Sequence, residues 1–249
     1  ADAIIHLAAQ AGVRYSIENP FAYGQSNLIG HLSILELVRN APKKPRLVYA
    51  SSSSVYGANA KAPFSEDDRV DNPVSLYAAT KRSNELMSES YTTLYGMEQV
   101  GLRFFTVYGP WGRPDMAYWT FTRDIIEGRA IRVFNNGHLN RDFTWIDDIV
   151  AGIVATALDQ PRTANPPLHR IYNVGNNRPV ELGRFIEIVE DAVGKRADEF
   201  GAQVEGLELR VVGVVDETER PPAPPVEVTG PQLGELVHDV GAAAPGLGE

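Results

Sequence analysis

The chain has no cysteine in 249 residues, which excludes disulfide scaffolds, zinc-thiolate centres and cysteine nucleophiles and suits a reducing compartment. It has no apolar run near the ~20 residues of a membrane span, and its opening, Ala-Asp-Ala-Ile-Ile-His, lacks the basic start of a signal peptide. A soluble, cytoplasmic protein with no membrane partner is expected. Lys and Arg are not in excess: the formal charge is -9, which argues against nucleic acid, because phosphate backbones call for clustered cations. No histidine has metal-ligand spacing, so no metal is expected, and the lone His6 and His31 in core-like stretches read as structural. No Gly-rich turn of the kind that cradles a dinucleotide follows any strand. Beyond Phe200 aromatics are lacking altogether, and nine acids stand there against two bases, so the body of the chain is close to neutral. A packed lobe normally uses aromatics in its core. Residues 201–249 are therefore expected to form an atypical acidic, Gly/Pro-rich tail.

What is present begins with a serine-ended strand. Leu47-Val48-Tyr49-Ala50 reads as buried, and it runs into Ser51, Ser52, Ser53 and Ser54 and then Val55-Tyr56-Gly57. Serine has no β-propensity reason to be there, whereas ligands of open parallel sheets gather at the carboxyl ends of strands. Tyr77 and Lys81 follow, four residues apart at the opening of a long helix, so that phenol and ammonium share one face. An ammonium fixed beside a phenol favours the phenolate, so Tyr77 is expected to titrate below its ordinary value of about 10 and to act as a general base.

Around these pieces strands alternate with helices. Strands are expected at 4–9, 47–50, 99–104, 131–134 and 170–174, and helices at 21–39, 75–95, 117–127, 147–158 and 181–193, closed by Gly96 and Gly194. The segment 105–115, Phe-Thr-Val-Tyr-Gly-Pro-Trp-Gly-Arg-Pro-Asp, reads as a functional loop. Such alternation means an α/β protein with a doubly wound parallel sheet.

Several motifs resemble one family. Ala8-Ala9-Gln10-Ala11-Gly12-Val13-Arg14, Asn27-Leu28-Ile29-Gly30, Ser51 to Gly57, Tyr77 to Lys81, Arg103 to Pro110, and Arg141-Asp142-Phe143-Thr144 through Asp147-Asp148-Ile149 are similar to the extended short-chain dehydrogenases/reductases, the nucleotide-sugar epimerases and dehydratases. The serine turn and the Phe105–Ala117 stretch resemble the UDP-glucuronate 4-epimerases within that branch. The resemblance covers residues 1 to about 195. It implies a Rossmann-like sheet that lacks its first βα units, some 70 to 80 residues of ordinary α/β unit size, with a small C-terminal α/β substrate lobe. Residues 1–110 would be the rest of the NAD-binding domain and 111–200 the lobe.

The resemblance implies NAD as cofactor and inversion at C4 of a UDP-sugar through a 4-keto intermediate, with UDP-glucuronate as the sugar nucleotide. Tyr77 would move the proton, Lys81 would lower its pKa and hold the nicotinamide ribose, and Ser52, Ser53 and Ser54 would hydrogen-bond the moving oxygen. Leu7, Ala8, Ala9, Gln10, Asn27, Ser51 and Phe104, with Tyr77 and Lys81, would line or brace the cofactor site. Arg14, Thr106, Arg113, Val133, Phe134 and Arg141 would meet the substrate: Arg113 and Arg14 at the uronate carboxylate, Arg141 at the pyrophosphate, and Val133 and Phe134 beside uracil. A solvated arginine is the other reading of Arg14 and Arg113, and ordinary core that of Phe134. Relatives that eliminate or decarboxylate place an acid in the serine turn, and positions 53 and 54 here are Ser. Helices 21–39 and 75–95 resemble a pair that packs against its copy into a homodimer. A UDP-glucose/galactose epimerase, or an inactive fragment that serves as a dimerising scaffold, are the other readings.

Overall fold

The structure is a computed structural model that describes residues 1–59, 61, 63–134, 137–158 and 168–202. Nearly all of the expected tail, from residue 203, and the Phe134 side chain lie outside the described residues. In chain order the elements are β1 (Ala3–His6), the short helices α1 (Tyr15–Glu18) and α2 (Pro20–Tyr23), a π-helical segment (Gly24–Ile29), α3 (Gly30–Asn40), β2 (Arg46–Ser52), a 3-10 turn (Ser53–Tyr56) and α4 (Leu76–Tyr95). Then come β3 (Gln99–Phe104), β4 (Thr106–Tyr108), α5 (Ala117–Ile126), β5 (Ile131–Phe134), β6 (Asn140–Trp145), α6 (Ile146–Leu158), β7 (His169–Val174), β8 (Pro179–Glu181), α7 (Leu182–Val193) and β9 (Glu199–Ala202).

The main sheet is parallel throughout, in the order β1-β2-β3-β7. Side chains alternate across it, as the period of two requires. Val48, Val100 and Leu102 pack on Ile149, Ile153 and Ala157 of α6, while Leu47 and Tyr49 face the opposite way onto Leu35 and Val38 of α3 and onto Met97. Helices on both faces make the sheet doubly wound, and each fully buried aliphatic side chain contributes roughly 1.5–3 kcal/mol. Gly101 is obligatory in β3: a Cβ there would lie 2.6 Å from the Tyr49 hydroxyl and from Ile171 Cδ1, so its absence lets Tyr49 lie across the neighbouring strand.

Local chemistry sets where α4 starts and stops. The Ser75 hydroxyl accepts the Ala78 N–H at 3.1 Å, which satisfies one orphan donor of the first turn. Gly96 then takes the left-handed conformation, φ +64, that ends the helix. The helix expected over 21–39 differs from expectation in a useful way. It is broken by the π-helical segment, a wider turn often found at functional sites.

Segment 105–115 is not a plain loop. Thr106–Tyr108 forms β4 and pairs in parallel with Phe143–Trp145 of β6, which also pairs with β8 in antiparallel. The β-prone Thr-Val-Tyr was the signal for this strand, and the adjoining Gly-Pro concealed it. A third, two-stranded sheet, β5-β9, carries a separate lobe core of Ile125, Ile131, Val133, Leu182, Ile186 and Val189 with α5 and α7. No helix among the described residues is long and apolar enough to cross a membrane.

Candidate active site

The carboxyl ends of β1 and β2 and the first turns of α4 converge. α4 presents Tyr77, Lys81 and, one further turn on, Glu85 along one face, since residues four apart are surface neighbours on a helix. Lys81, 4% exposed, donates from Nζ to the Ala50 carbonyl at 2.8 Å. Burial lowers its pKa to about 8. Ser52 caps the 3-10 turn, accepting the Ser54 N–H at 3.2 Å, and its side chain is the hydrogen-bonding neighbour of the Tyr77 phenol.

The expectation that Lys81 draws the Tyr77 pKa down is corrected here. Burial raises the phenol above its ordinary value, and the groups that oppose burial are Ser52, by its hydrogen bond, and Arg113, by its charge. The Lys81 ammonium is turned onto the strand carbonyl instead. The cation that acts on the phenol therefore comes from the loop after β4, which helix spacing gave no means of seeing.

Three other expected site residues have their side chains in packing or polar networks. The Ser51 hydroxyl donates to Glu85 Oε1 at 2.6 Å, on the opposite face of β2 from Ser52. Phe104 packs against the core between the sheet and α6, and Val133, 3% exposed, belongs to the lobe core. Strand alternation turned these three side chains inward. Ser53 and Ser54 are half-buried on the 3-10 turn, and Thr106 opens β4 opposite Phe143.

At the carboxyl end of β1 an open cleft of about 440 Å³ is lined by His6, Ala8, Ala9, Gln10, Ser26, Gly30 and Ile34. The small side chains at the end of β1 leave the backbone accessible to a large flat group. Asn27, from the π-helical segment, braces this edge. Its amide accepts the Gln10 N–H at 2.8 Å, and donates to the Gln10 carbonyl and to Thr80 Oγ1, both at 3.0 Å, so one buried side chain ties the β1 loop to α4. Leu7 is half-exposed at the same strand end. Behind the cleft His6 stacks on His31, whose pKa burial lowers to about 3, leaving a neutral ring.

Across from the cleft, Tyr23 packs edge-on to Tyr77, with ring centroids 6.1 Å apart, and donates its hydroxyl to the Ala11 carbonyl at 2.9 Å. Gly12, at φ +102, leaves room for Arg113: a Cβ there would lie 3.3 Å from Arg113 Nη2. The Arg113 fork is paired with Asp115, Nε to Oδ1 at 3.0 Å and Nη2 to Oδ2. Arg14 is exposed just beyond Gly12. Arg141 on β6 is desolvated enough to lower its pKa, and among the described residues its one hydrogen bond is to the Asn140 carbonyl at 3.0 Å. Among the described residues no carboxylate is paired with it, and desolvation makes an anionic partner favourable for a guanidinium. Tyr23 and Glu85 escaped sequence reasoning because they act through contacts between segments apart in the chain, and Asp115 because its pairing with Arg113 depends on how the loop folds. Among the described residues no group of His, Asp or Glu is arranged to hold a metal.

A model of the NAD dependent epimerase/dehydratase family matches residues 1–175. The chain is 51% identical over 220 residues to an uncharacterized protein of Methanocaldococcus jannaschii, covering 88% of this chain and 65% of that one. With UDP-glucuronate 4-epimerase 5 of Arabidopsis thaliana it is 50% identical over 205 residues, 78% of this chain and 47% of the relative. The chain thus spans less than two thirds of the length of these curated relatives. The crystal structure of UDP-glucuronic acid 4-epimerase from Bacillus cereus, in complex with UDP-glucuronic acid and NAD, superposes with a TM-score of 0.72 at 33% identity, covering 80% of this chain and 62% of that one.

Proposed function

Because the chain belongs to the NAD dependent epimerase/dehydratase family, we propose that the protein carrying it inverts C4 of a UDP-linked sugar with NAD as cofactor, and that the sugar is glucuronate. The observation that supports this most is the meeting of Tyr77, Ser52 and Lys81 at the carboxyl end of β2, beside a cleft with small walls. His6, Ala8, Ala9, Gln10 and Lys81 are the residues that would hold NAD. When bound, it supplies the acceptor and then the donor of the C4 hydride. Tyr77 takes the proton of the sugar 4-hydroxyl and returns it to the same oxygen after the 4-keto sugar has turned over to offer the opposite face of C4 to the hydride. Ser52 donates to the oxygen while it carries negative charge, and this preorganised donor acts most strongly in a desolvated site. Arg141 meets a phosphate oxygen. Ser53 and Ser54 place no carboxylate in the turn, so no acid stands ready for elimination. The lack of cysteine agrees with a cytoplasmic location.

Glucuronate rests on Arg113, which faces Tyr77 from the loop after β4, and on the printed names of the Arabidopsis and Bacillus relatives. The pairing of Arg113 with Asp115 favours a second reading, a neutral UDP-sugar, because a guanidinium already matched by a carboxylate has less to offer another.

In the active protein Tyr77→Phe is expected to lower turnover by at least about a hundredfold with little change in substrate binding. Steady-state kinetics that show most of the activity retained would remove Tyr77 from the mechanism. Arg113→Ala separates the two sugars. A charge-assisted bidentate pair contributes roughly 1.5 to 3 kcal/mol, which is on the order of ten- to a hundredfold. kcat/KM for UDP-glucuronate is expected to fall by that factor while UDP-glucose is nearly untouched, and an equal loss on both substrates would make Arg113 a structural or phosphate-binding residue and leave glucuronate resting on likeness to the relatives alone. The exposed Phe21, Ile29, Leu37, Leu86 and Leu94, on α2 to α4, support a homodimer. Light scattering at tens of micromolar is expected to give the mass of two chains, and a monomer with a native circular dichroism spectrum would exclude it.

A further inference from the structure

α4 meets the end of β2 with three residues, one from each of three successive turns. The Tyr77 phenol meets the side chain of Ser52, Lys81 Nζ donates to the Ala50 carbonyl at 2.8 Å, and Glu85 Oε1 accepts the Ser51 hydroxyl at 2.6 Å. The third contact continues onto the neighbouring strand. Arg103, the register partner of Ser51 on β3, donates to Glu85 from Nε at 2.9 Å and from Nη2 at 3.0 Å. The two side chains are 2% and 1% exposed. Arg103 Nη1 reaches the other way, to the Tyr56 hydroxyl at 2.9 Å, at the end of the serine turn. Tyr56 in turn donates to Asn173 Oδ1 of β7 at 2.7 Å. One arm of this network fixes the helix with the phenol, and the other fixes the turn that starts at Ser52. Two apolar side chains would join the elements with less desolvation, but they would leave helix and turn free to slide relative to each other.

We propose that the buried Glu85–Arg103 pair is a positioning device that holds the Tyr77 phenol against Ser52, so that the proton-transfer geometry is set two helical turns away from the reacting atoms. The proposal rests on the reading of Tyr77 as the group that moves the proton. The groups facing the phenol are Ser52 from β2, Tyr23 from α2, Arg113 from the loop after β4, and Lys81 on its own helix. Of these, Ser52 is the one joined directly to the serine turn.

The test follows the ionisation of Tyr77 by ¹³Cζ-tyrosine NMR, its signal assigned by disappearance in Tyr77→Phe, together with kcat and KM. Glu85→Gln removes the charge but keeps the shape, and Arg103→Lys keeps the charge but loses the fork. In both variants the Tyr77 titration is expected to move up by about half a pH unit or more as the Ser52 contact loosens. kcat is expected to fall about tenfold, with KM within about twofold. Removal of a negative charge by itself would move Tyr77 down. A downward or absent shift in Glu85→Gln, with kcat intact, therefore overturns the proposal even if thermal stability drops. Should either variant fail to fold, Ser51→Ala cuts the link between pair and strand without leaving a buried charge unmatched. It must shift the titration in the same upward direction, and no shift overturns the proposal. If the unaltered protein does not epimerise yet its Tyr77 titration responds to these variants, the function assigned above fails while the positioning role stands.

Discussion

A buried ammonium held by one strand carbonyl is the constraint from which the site follows. Desolvation disfavours the charged form of Lys81 strongly, and the Ala50 carbonyl at 2.8 Å is the acceptor that compensates it. That bond sets α4 over the end of β2 at a fixed height. One turn earlier on the same face stands Tyr77, near Ser52, and one turn later Glu85, which accepts the Ser51 hydroxyl and is held from β3 by Arg103. Three turns of α4 thus engage the end of β2, with Ser52 on the side of the site and Ser51 in the core.

The rest of the molecule brings distant segments to that edge. Asn27 fastens the β1 loop to α4, Tyr23 holds the Ala11–Gly12 turn, and Gly12 leaves space for the Arg113 fork. Asp142 of β6 accepts the N–H groups of Asn176 and Asn177 at 2.8 Å, tying the second sheet to the turn that follows β7. Arg141, next along β6, is thereby held in place relative to the main sheet.

Much of this was legible in the sequence, for physical reasons that also mark the limit. Hydrophobic runs ended by serine or small residues gave the strands, and Ser75 and Gly96 gave the bounds of α4, because those signals are local. The Tyr77–Lys81 spacing located the two side chains correctly on one helical face. It gave the wrong direction for the phenol's pKa, since burial and the orientation of Lys81 are tertiary properties. Motif position points to ligand contacts at Ser51, Phe104 and Val133, whereas strand alternation turns their side chains into polar networks or packing. The π-helical widening at Asn27 and the β4 strand depended on partners far along the chain, so neither left a clear periodic trace.

Inversion at C4 by way of bound NAD requires that the C4 hydrogen leave as hydride, stay with the protein, and return to the same carbon while Tyr77 carries the proton. The most direct measurement is the fate of deuterium placed at C4 of UDP-glucuronate when the protein and NAD turn it over in ordinary water. The expected result is a C4-inverted product that keeps the label at C4, by NMR and mass spectrometry. An inverted product in which the C4 label has been exchanged for solvent hydrogen would contradict it.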